Sequence, residues 1–235
     1  MTSVLVLGGM LIFSGLLFAG FAPIAHLRLK RSVAWSDAVA GLARSPIAPA
    51  RKAGTLVAIR GRVKASTPLE DPVTAHAVVW YECEVRVGDE PAEMDHDETA
   101  FVVEDESGSV RIDPANAREV AVQVDVFEPG DDRDQVGPFL TRRGLGNRAD
   151  VGLEHRQIKI GDELVVVGRW CDSQEHGATL SAGDDAELVL TTHSLEAFQE
   201  REVASAKSGA LGVVILSVLG FGCTALGVAF LAMGW

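Results

Sequence analysis

The sequence predicts a membrane protein in which two transmembrane helices flank a mainly-β soluble domain of the α+β class, a small barrel or sandwich. All 21 Lys and Arg and all 33 Asp and Glu side chains lie between Arg28 and Lys207, so neither end of the 235-residue chain carries a formal charge. Both ends are long apolar runs, whereas the part between them is rich in β-branched residues at a period of two. A soluble globule needs charge along its whole length, so this pattern excludes one.

The first apolar run, residues 4–25, is long enough to form a transmembrane helix. A helix rises about 1.5 Å per residue, so a run of this length covers a hydrocarbon core of about 30 Å. A cleaved signal peptide is the alternative, but it has a basic start and a shorter apolar stretch of about 7–15 residues. Residues 1–3 carry no side-chain charge. We therefore expect an uncleaved anchor.

The second apolar run, residues 209–235, ends in Trp235, which suits the membrane interface as an aromatic anchor. Residues 194–208 before it predict a juxtamembrane helix that is capped at its start by Ser194. No proline separates this helix from the apolar run. We expect one continuous helix to join the soluble domain to the second span.

Small residues recur four positions apart in both spans, as Gly15 with Ala19 and Cys223 with Gly227. This spacing lets helix backbones approach closely, which would allow the spans to pair or several copies of the chain to form a homo-oligomer. Ordinary Gly- and Ala-rich spans without specific pairing fit the same spacing equally well.

Basic residues beside the two spans predict the orientation of the protein. Residues 28–52 form a basic juxtamembrane helix and linker, in which Arg28, Lys30 and Arg31 directly follow the first span. Lys207 precedes the second span. Positively charged flanks stay in the cytoplasm, so we expect an integral protein of the cell membrane with a cytoplasmic central domain and both termini outside.

The charge of the chain limits its partners. The net charge at pH 7 is −12, and the acids are concentrated between the spans. Such a domain repels the nucleic-acid backbone, whereas the basic stretch after the first span suits anionic lipid headgroups. The bilayer is therefore an expected partner and nucleic acid is not. Arg outnumbers Lys by 16 to 5 among many acids, a composition compatible with a salt-rich cytoplasm, as in halophiles.

The central domain, residues 53–193, is predicted to be β-rich. Seven runs bounded by Gly, Pro or Asp predict strands: GTLVAIRGRVKA, AVVWYECEVRV, TAFVVED, GSVRID, EVAVQVDVF, ELVVVGRWCD and AELVLTT. Gly108 predicts a tight hairpin, and Gly161 with Asp162 predicts a turn before the most apolar strand. The polar, Gly-rich stretch 128–151 is expected to be a loop or excursion.

Four segments, in this order, resemble the GIDE domain, also called the beside-a-membrane (BAM) domain: GRVKASTPLEDP, AVVWYECEV, FVVEDESGSVRIDP and IKIGDELVVVGRW. The two flanking spans complete the likeness, which covers nearly the whole chain. The family comprises mitochondrial membrane-anchored E3 ubiquitin ligases and prokaryotic relatives, and this chain is similar to the prokaryotic members.

The resemblance implies ubiquitin transfer, which in the eukaryotic members depends on a zinc-binding RING finger after the second span. This chain ends at Trp235, and its cysteines, Cys83, Cys171 and Cys223, lie too far apart for the closely spaced ligands of a RING. We therefore expect a RING-less member without that activity. The resemblance also implies a domain between the mitochondrial membranes, the topological opposite of the side that the basic flanks predict.

Cysteine and histidine offer two candidate sites in the central domain. Cys171 and His176 could contribute two metal ligands, with Asp172 or Glu175 as a third. A strand-end Cys and a loop His without a second ligand pair arise by chance more often, so we expect no metal. Cys83 alternates with acids in a strand and has no local base, which indicates a small core residue rather than a nucleophile.

Residues 89–106 hold nine acids and no Lys or Arg, which could attract Ca²⁺ or a basic partner. The ligand spacing of a calcium loop is absent, so a solvated acidic face or a mobile hairpin tip is favoured. Ser107 and Ser109 flank a turn glycine and do not form a nucleophile elbow. The segment TRRGLGNR is too short for a phosphate loop. We predict no catalytic, cofactor-binding or metal-binding residues and no cofactor.

Three functions remain open. The first is a membrane-anchored scaffold or regulatory adaptor whose acidic domain lies at the bilayer surface and binds another, unidentified protein. The second is the ubiquitin-transferase-like activity, or a role in organising a membrane or organelle, that the resemblance implies. The third is an oligomeric membrane effector in stress or defence, which the Gly-rich spans suggest although neither span bears polar residues to line a water-filled path.

Overall fold

The computed structural model describes residues 2–48, 52–88, 90–129, 133–173, 177–181 and 188–233. The chain divides into two compact units, which we call the helical unit and the β unit. The helical unit combines the first 42 residues with those from Glu196 onward, and the β unit comprises Ala43–Leu195.

Two helices of 39 residues each make up the helical unit, α1 (Thr2–Ala40) and α3 (Leu195–Met233). α3 runs without a break from the predicted juxtamembrane helix into the second apolar run, as the absence of proline predicts. Carbonyl groups at and just beyond the end of α1 have a partner on α3, because the Gln199 side-chain amide donates to the carbonyl oxygens of Val39 at 2.7 Å and Leu42 at 2.9 Å.

One segment of the described chain is long and apolar enough to cross a membrane by length and composition, Leu195–Leu226, which contains an 18-residue window with a mean hydropathy of 2.1. The predicted first span, residues 4–25, is helical within α1, but most of its side chains lie outside the described set. The described part of the chain therefore supplies one candidate span where the sequence predicts two.

Twelve strands, the α-helix α2 (Arg133–Arg142) and a short 3-10 helix (Pro114–Asn116) form the regular elements in the described part of the β unit. The strands are β1 Leu56–Lys64, β2 Leu69–Glu70, β3 Ala77–Val87, β4 Glu90–Glu98, β5 Phe101–Asp105, β6 Gly108–Ile112, β7 Ala117–Ala121, β8 Val124–Phe127, β9 Val151–Lys159, β10 Glu163–Ser173, β11 Gly177–Ser181 and β12 Leu188–Thr191.

Five strands close into a small barrel. β1 pairs antiparallel with β10 at one edge and with β5 at the other, β5 and β6 form the predicted hairpin, and β6 pairs parallel with β11, which returns to β10. The circuit is β1-β5-β6-β11-β10 and back to β1. If these five strands are numbered 1 to 5 in chain order, the circuit reads 1-2-3-5-4. This is the strand order of an oligonucleotide/oligosaccharide-binding (OB) barrel. β12 and β7 extend the sheet beyond β10.

Gly61 allows β1 to join both sides of the barrel. The strand changes partner at Arg62, which lies opposite Glu163 of β10 and Glu104 of β5. A Cβ atom on Gly61 would lie 2.4 Å from the carbonyl oxygen of Glu104, closer than any side chain tolerates. Glycine therefore permits the close approach of two backbones that closes the barrel.

The barrel core is built from apolar side chains. Strands of the first sheet, β3 and β9 of the second sheet, the segment before the barrel and the link between β7 and β8 supply eighteen buried residues: Ile47, Val57, Ile59, Val63, Val79, Trp80, Phe101, Val103, Val110, Ile112, Val122, Ile158, Leu164, Val166, Trp170, Leu180, Leu188 and Leu190. The Gly161 turn lies before β10 as predicted, with a positive φ of 91° that favours glycine.

A second sheet, in the order β2-β3-β9-β8 with β4 also paired to β3, packs one face against α2. Three side chains of α2, Val136, Phe139 and Leu140, share a buried cluster with this sheet. The expectation of a loop over residues 128–151 is therefore wrong for 133–142, which are helical although Pro138 lies inside. The run 89–106 contains β4 and β5.

Candidate functional site

The predicted metal pair is only half described. Cys171 lies near the end of β10 and is partly exposed, while His176 and Glu175 lie outside the described residues. Among the residues that the structure describes, no group of three or more His, Cys, Asp or Glu side chains could hold a metal ion.

Cys83 is fully buried on β3, where it lies between His155 of β9 and Asp95 of β4. The pKa of its thiol is raised to about 12, chiefly by burial and then by the carboxylates of Asp71 and Asp95, each of which outweighs the lowering effect of Arg143. A thiol with this pKa is almost entirely protonated at neutral pH, and the thiolate is the nucleophilic form. The surroundings of Cys83 therefore favour the core role over a catalytic one.

A buried carboxylate–imidazole pair, formed by Asp71 and His155, lies in the same layer. The His155 Nε2 and Asp71 Oδ2 atoms are 2.7 Å apart, and both side chains are fully buried. The other oxygen, Oδ1, accepts hydrogen bonds from the backbone N–H groups of Val73 at 2.8 Å and Thr74 at 2.7 Å. The Thr74 hydroxyl adds a third at 3.0 Å. Asp71 thus holds the turn after β2 against the second sheet.

Hydrogen bonding decides the charge of Asp71. Burial alone would raise the pKa of this carboxyl, but the hydrogen bonds from His155 and from the turn outweigh burial and leave the pKa below its ordinary value. An ionised carboxylate only accepts, so Nε2 of His155 carries the shared hydrogen. Its Nδ1 atom has no hydrogen-bond partner among the described residues. The pair has no exposed face, so its position favours structure over catalysis.

Sequence reasoning missed this pair because its members lie far apart in the chain and β9 was not predicted. The alternation in VGLEHRQIK gave the available signal, since every second residue from Val151 to Gln157 is buried. The inward set includes His155 and Gln157, which are polar, so the run does not have the apolar alternation of an ordinary strand.

The remaining sequence candidates have structural partners. The Asp105 carboxylate accepts from the backbone N–H groups of Ile47, Ser107 and Gly108. Burial would raise the pKa of Asp105, but these bonds and the Ser107 hydroxyl lower it below its ordinary value. In TRRGLGNR, Arg143 pairs with two acids of β4, and Arg142 donates to a backbone carbonyl oxygen at 2.6 Å. These groups stabilise turns and the contact between α2 and β4.

A cleft of about 790 Å³ lies beside β1, within the size range of ligand sites. One wall is the segment before the barrel, where Ser45 N–H donates to the Ala58 carbonyl oxygen at 2.9 Å. Another part of the lining is the tip of the β5–β6 hairpin, where the Asp105 and Ser107 side chains accept hydrogen bonds from the Ile47 and Ala48 N–H groups of that segment. Four acids and four bases line the cleft: Glu104, Asp105, Glu106, Glu163, Arg44, Arg60, Arg62 and Lys64.

The outward face of the second sheet carries ion pairs at its centre and apolar side chains at its sides. Glu154 of β9 pairs with Arg86 of β3 at 3.0 Å. In the same row, β3 places Glu84 opposite both Glu154 and Met94 of β4, and Glu154 lies opposite Val126 of β8. Met94 and Val126 are 61% and 57% exposed. This face combines charge with accessible apolar area.

Comparison with known families gives a match over residues 84–227 to the family GIDE, described as E3 Ubiquitin ligase. The match covers more than half of the chain. The chain belongs to the GIDE family. The matched GIDE region begins within β3, includes all later strands and ends in α3, beyond the candidate span. A comparison with curated proteins gave no significant match.

Most of the cleft lies outside the matched GIDE region. Its four bases all precede residue 84, whereas its acids follow it. The buried pair is divided in the same way, with Asp71 before the region and His155 within it. The GIDE match therefore establishes the family. The chemistry of the cleft and of the Asp71–His155 pair depends on side chains that the match covers only in part.

Proposed function

We propose that this GIDE-family chain is a membrane-anchored binding protein, a scaffold or regulatory adaptor whose β unit recognises another protein at the bilayer surface. One observation carries the proposal: the β unit lies in sequence between two 39-residue helices, and the second contains a candidate span. The structural roles found for Cys83 and the Asp71–His155 pair support recognition over catalysis.

The proposal includes two spans and a defined orientation. Residues 4–25 of α1 form the first span, and the bases that follow α1's apolar part hold the β unit in the cytoplasm with both termini outside. Alkaline carbonate should leave the intact chain in the membrane. Protease should digest the β unit in inside-out vesicles and spare it in right-side-out vesicles. Digestion only in right-side-out vesicles would overturn the orientation without affecting the number of spans.

The outward face of the second sheet is the proposed docking surface. The β unit contains 16 bases and 29 acids, so a partner with a Lys- and Arg-rich surface is attracted to it over a distance. Met94 and Val126 then supply the apolar contact that short-range binding requires. The partner proposed here is therefore a basic protein with apolar side chains among its charges.

Photo-crosslinking tests this surface in native membranes. A photoreactive amino acid in place of Met94 should give one reproducible crosslinked protein, because this side chain is 61% exposed on the proposed surface. The same amino acid in place of Arg111, an exposed residue of the barrel strand β6, is the control and should not capture that protein. Equal capture at both positions, or none at Met94, would contradict the proposed surface.

Ubiquitin transfer is the second candidate, favoured by the description of the GIDE family as E3 Ubiquitin ligase. A thioester route needs an accessible cysteine of low pKa, and Cys83 is buried with a pKa of about 12. A self-modification assay with the full chain, activating and conjugating enzymes and a ubiquitin-like modifier distinguishes the candidates. We expect no modified product, and robust modification would replace the scaffold proposal with this one.

A further inference from the structure

The cleft beside β1 contains a group of basic side chains that has no role in the proposed function. The β unit as a whole is strongly acidic, yet four of its bases line this one cleft, three of them in a row on the outward positions of β1. Outward residues of a strand lie on one side, so Arg60, Arg62 and Lys64 face the same space. A concentration of bases in an acidic domain is a specific feature of this cleft.

Three of the four acids in the cleft are already engaged. Glu163 pairs with Arg60, with Nε and Oε1 2.6 Å apart. Glu104 pairs with Lys64. Asp105 accepts backbone hydrogen bonds, one of them from Ile47 at 3.1 Å. None of these three carboxylates neutralises a further base.

Arg62 is left without a partner among the described residues by this arrangement. Its backbone lies opposite both Glu163 and Glu104, but each of those acids pairs with a neighbour of Arg62 on β1. Arg44, in the segment before the barrel, bridges to Ala58 through its backbone, and its side chain likewise has no ion pair or hydrogen bond among the described residues. Two guanidinium groups are therefore available to a ligand, and Glu106 at the hairpin tip is the remaining free acid of the cleft.

We propose that this cleft binds a phosphate monoester group through Arg44 and Arg62. A guanidinium donates in a planar fork that matches phosphate oxygens. A phosphate monoester has three terminal oxygens and nearly two negative charges, so it can accept hydrogen bonds from two guanidinium groups. A carboxylate has two oxygens, and a single guanidinium group pairs with both of them. The two free cations thus select the phosphoryl group over the carboxylate.

Glu106 limits the size of the ligand. Its carboxylate repels a second phosphate near the hairpin tip, which disfavours nucleic acid and other polyanions. The same phosphoryl chemistry occurs in a soluble phosphate ester and in the headgroup of phosphatidic acid. The site is proposed for the phosphoryl group, and the two sources are separated by experiment.

Titration calorimetry on the full chain in detergent, with inorganic phosphate, tests the site. We expect binding with Kd of about 1 mM, and a loss of about tenfold in R62Q or R44Q, which corresponds to about 1.4 kcal/mol. R62K keeps the positive charge but lacks the planar fork of donors, so its affinity for phosphate should lie between those of wild type and R62Q. E106Q should bind about two- to threefold more tightly. R111Q removes an exposed base elsewhere on the barrel and should bind like wild type.

Nanodiscs identify the source of the phosphoryl group. The β unit should change its protease protection in discs containing phosphatidic acid, but not in phosphatidylcholine alone, if the ligand is a lipid; R44Q/R62Q should abolish that change. Phosphate binding without any lipid effect supports a soluble ester. The proposal is overturned if R44Q/R62Q, with an unchanged melting temperature, binds phosphate and lipid like wild type. Equal loss in R111Q, or equal affinity for acetate, also overturns it.

Discussion

The barrel and the second sheet of the β unit bury different kinds of side chain. The barrel closes on itself, and the described residues of its five strands include no buried polar or charged side chain. The second sheet buries Asp71, His155 and Gln157 beside its apolar residues. Closure pairs the strand edges of the barrel, whereas the second sheet ends in an irregular turn whose buried N–H groups need an acceptor. Polar groups are thus buried where the sheet stays open.

The largest expected effect comes from blocking barrel closure. Gly61→Val places side-chain atoms against the Glu104 carbonyl group, so we expect a loss of at least about 3 kcal/mol or failure to fold. Urea unfolding of the full chain in detergent measures it. Gly137→Ala is the matched control, because nothing lies within 4 Å of its new Cβ and alanine favours helix α2. A tolerated Gly61→Val would show that the two backbones can separate without opening the barrel.

Next in size is the removal of the buried pair from the second sheet. Asp71→Asn should cost about 3 kcal/mol at neutral pH, because it leaves His155 and the turn without their ionised acceptor. Asp125→Asn changes a carboxylate on β8 opposite His155 and should cost less than about 0.5 kcal/mol.

The same pair predicts how stability depends on pH. The folded pKa of Asp71 lies below its ordinary value of 3.8, so the pair stabilises the fold above that pH and the contribution is lost as the pH falls through the folded value. Unfolding free energies of wild type and Asp71→Asn should therefore converge below about pH 4. A constant difference across the acid range would mean that Asp71 does not titrate differently in the folded state.

A smaller effect is expected on the rate at which Cys83 reacts with an alkylating reagent. Its pKa is raised from 9.0 to about 12, which lowers the thiolate fraction at neutral pH by about a thousandfold before burial limits access further. Iodoacetamide followed by mass spectrometry should modify the partly exposed Cys171 well before Cys83. Alkylation of Cys83 at a rate equal to that of Cys171 would show that the second sheet opens readily.

The smallest effect is expected at the link between α2 and β4. Arg143 pairs with Glu93 and Asp95 and lies 5.4 Å from the Phe139 ring centroid, but its side chain is partly exposed. Arg143→Gln should cost about 0.5–1 kcal/mol, and less at high salt. Arg148→Gln breaks an exposed pair with Asp150 and should not change the melting temperature measurably. A larger loss in the control would show that surface charge alone decides stability.

The sequence could predict the parts of the fold that depend on local patterns. The β5–β6 hairpin at Gly108, the turn at Gly161 and the unbroken α3 all follow from glycine, proline and apolar spacing. α2 was not predictable in this way because it contains Gly137 and Pro138 and is buried by packing against a sheet distant in sequence. β4 is an acidic strand that pairing with β3 holds in place.

The bases of the cleft likewise could not be sorted into paired and unpaired groups from the sequence. Arg62 is one of several outward bases on a predicted strand, and the sequence gives no reason to separate it from Arg60 or Lys64. Arg62 lacks a partner among the residues that the structure describes because Glu163 of β10 and Glu104 of β5 pair with Arg60 and Lys64 instead. Long-range strand pairing decides which charges cancel, and a linear pattern does not contain that information.

The side-chain amide of Gln199 has a consequence for how the protein is made. It caps the end of α1, yet it is synthesised about 160 residues after that end, so the whole β unit precedes it from the ribosome. The carbonyl groups at the end of the N-terminal helix therefore lack this partner until Gln199 has left the ribosome. Premature termination before codon 199 would leave a product in which the end of α1 lacks this cap.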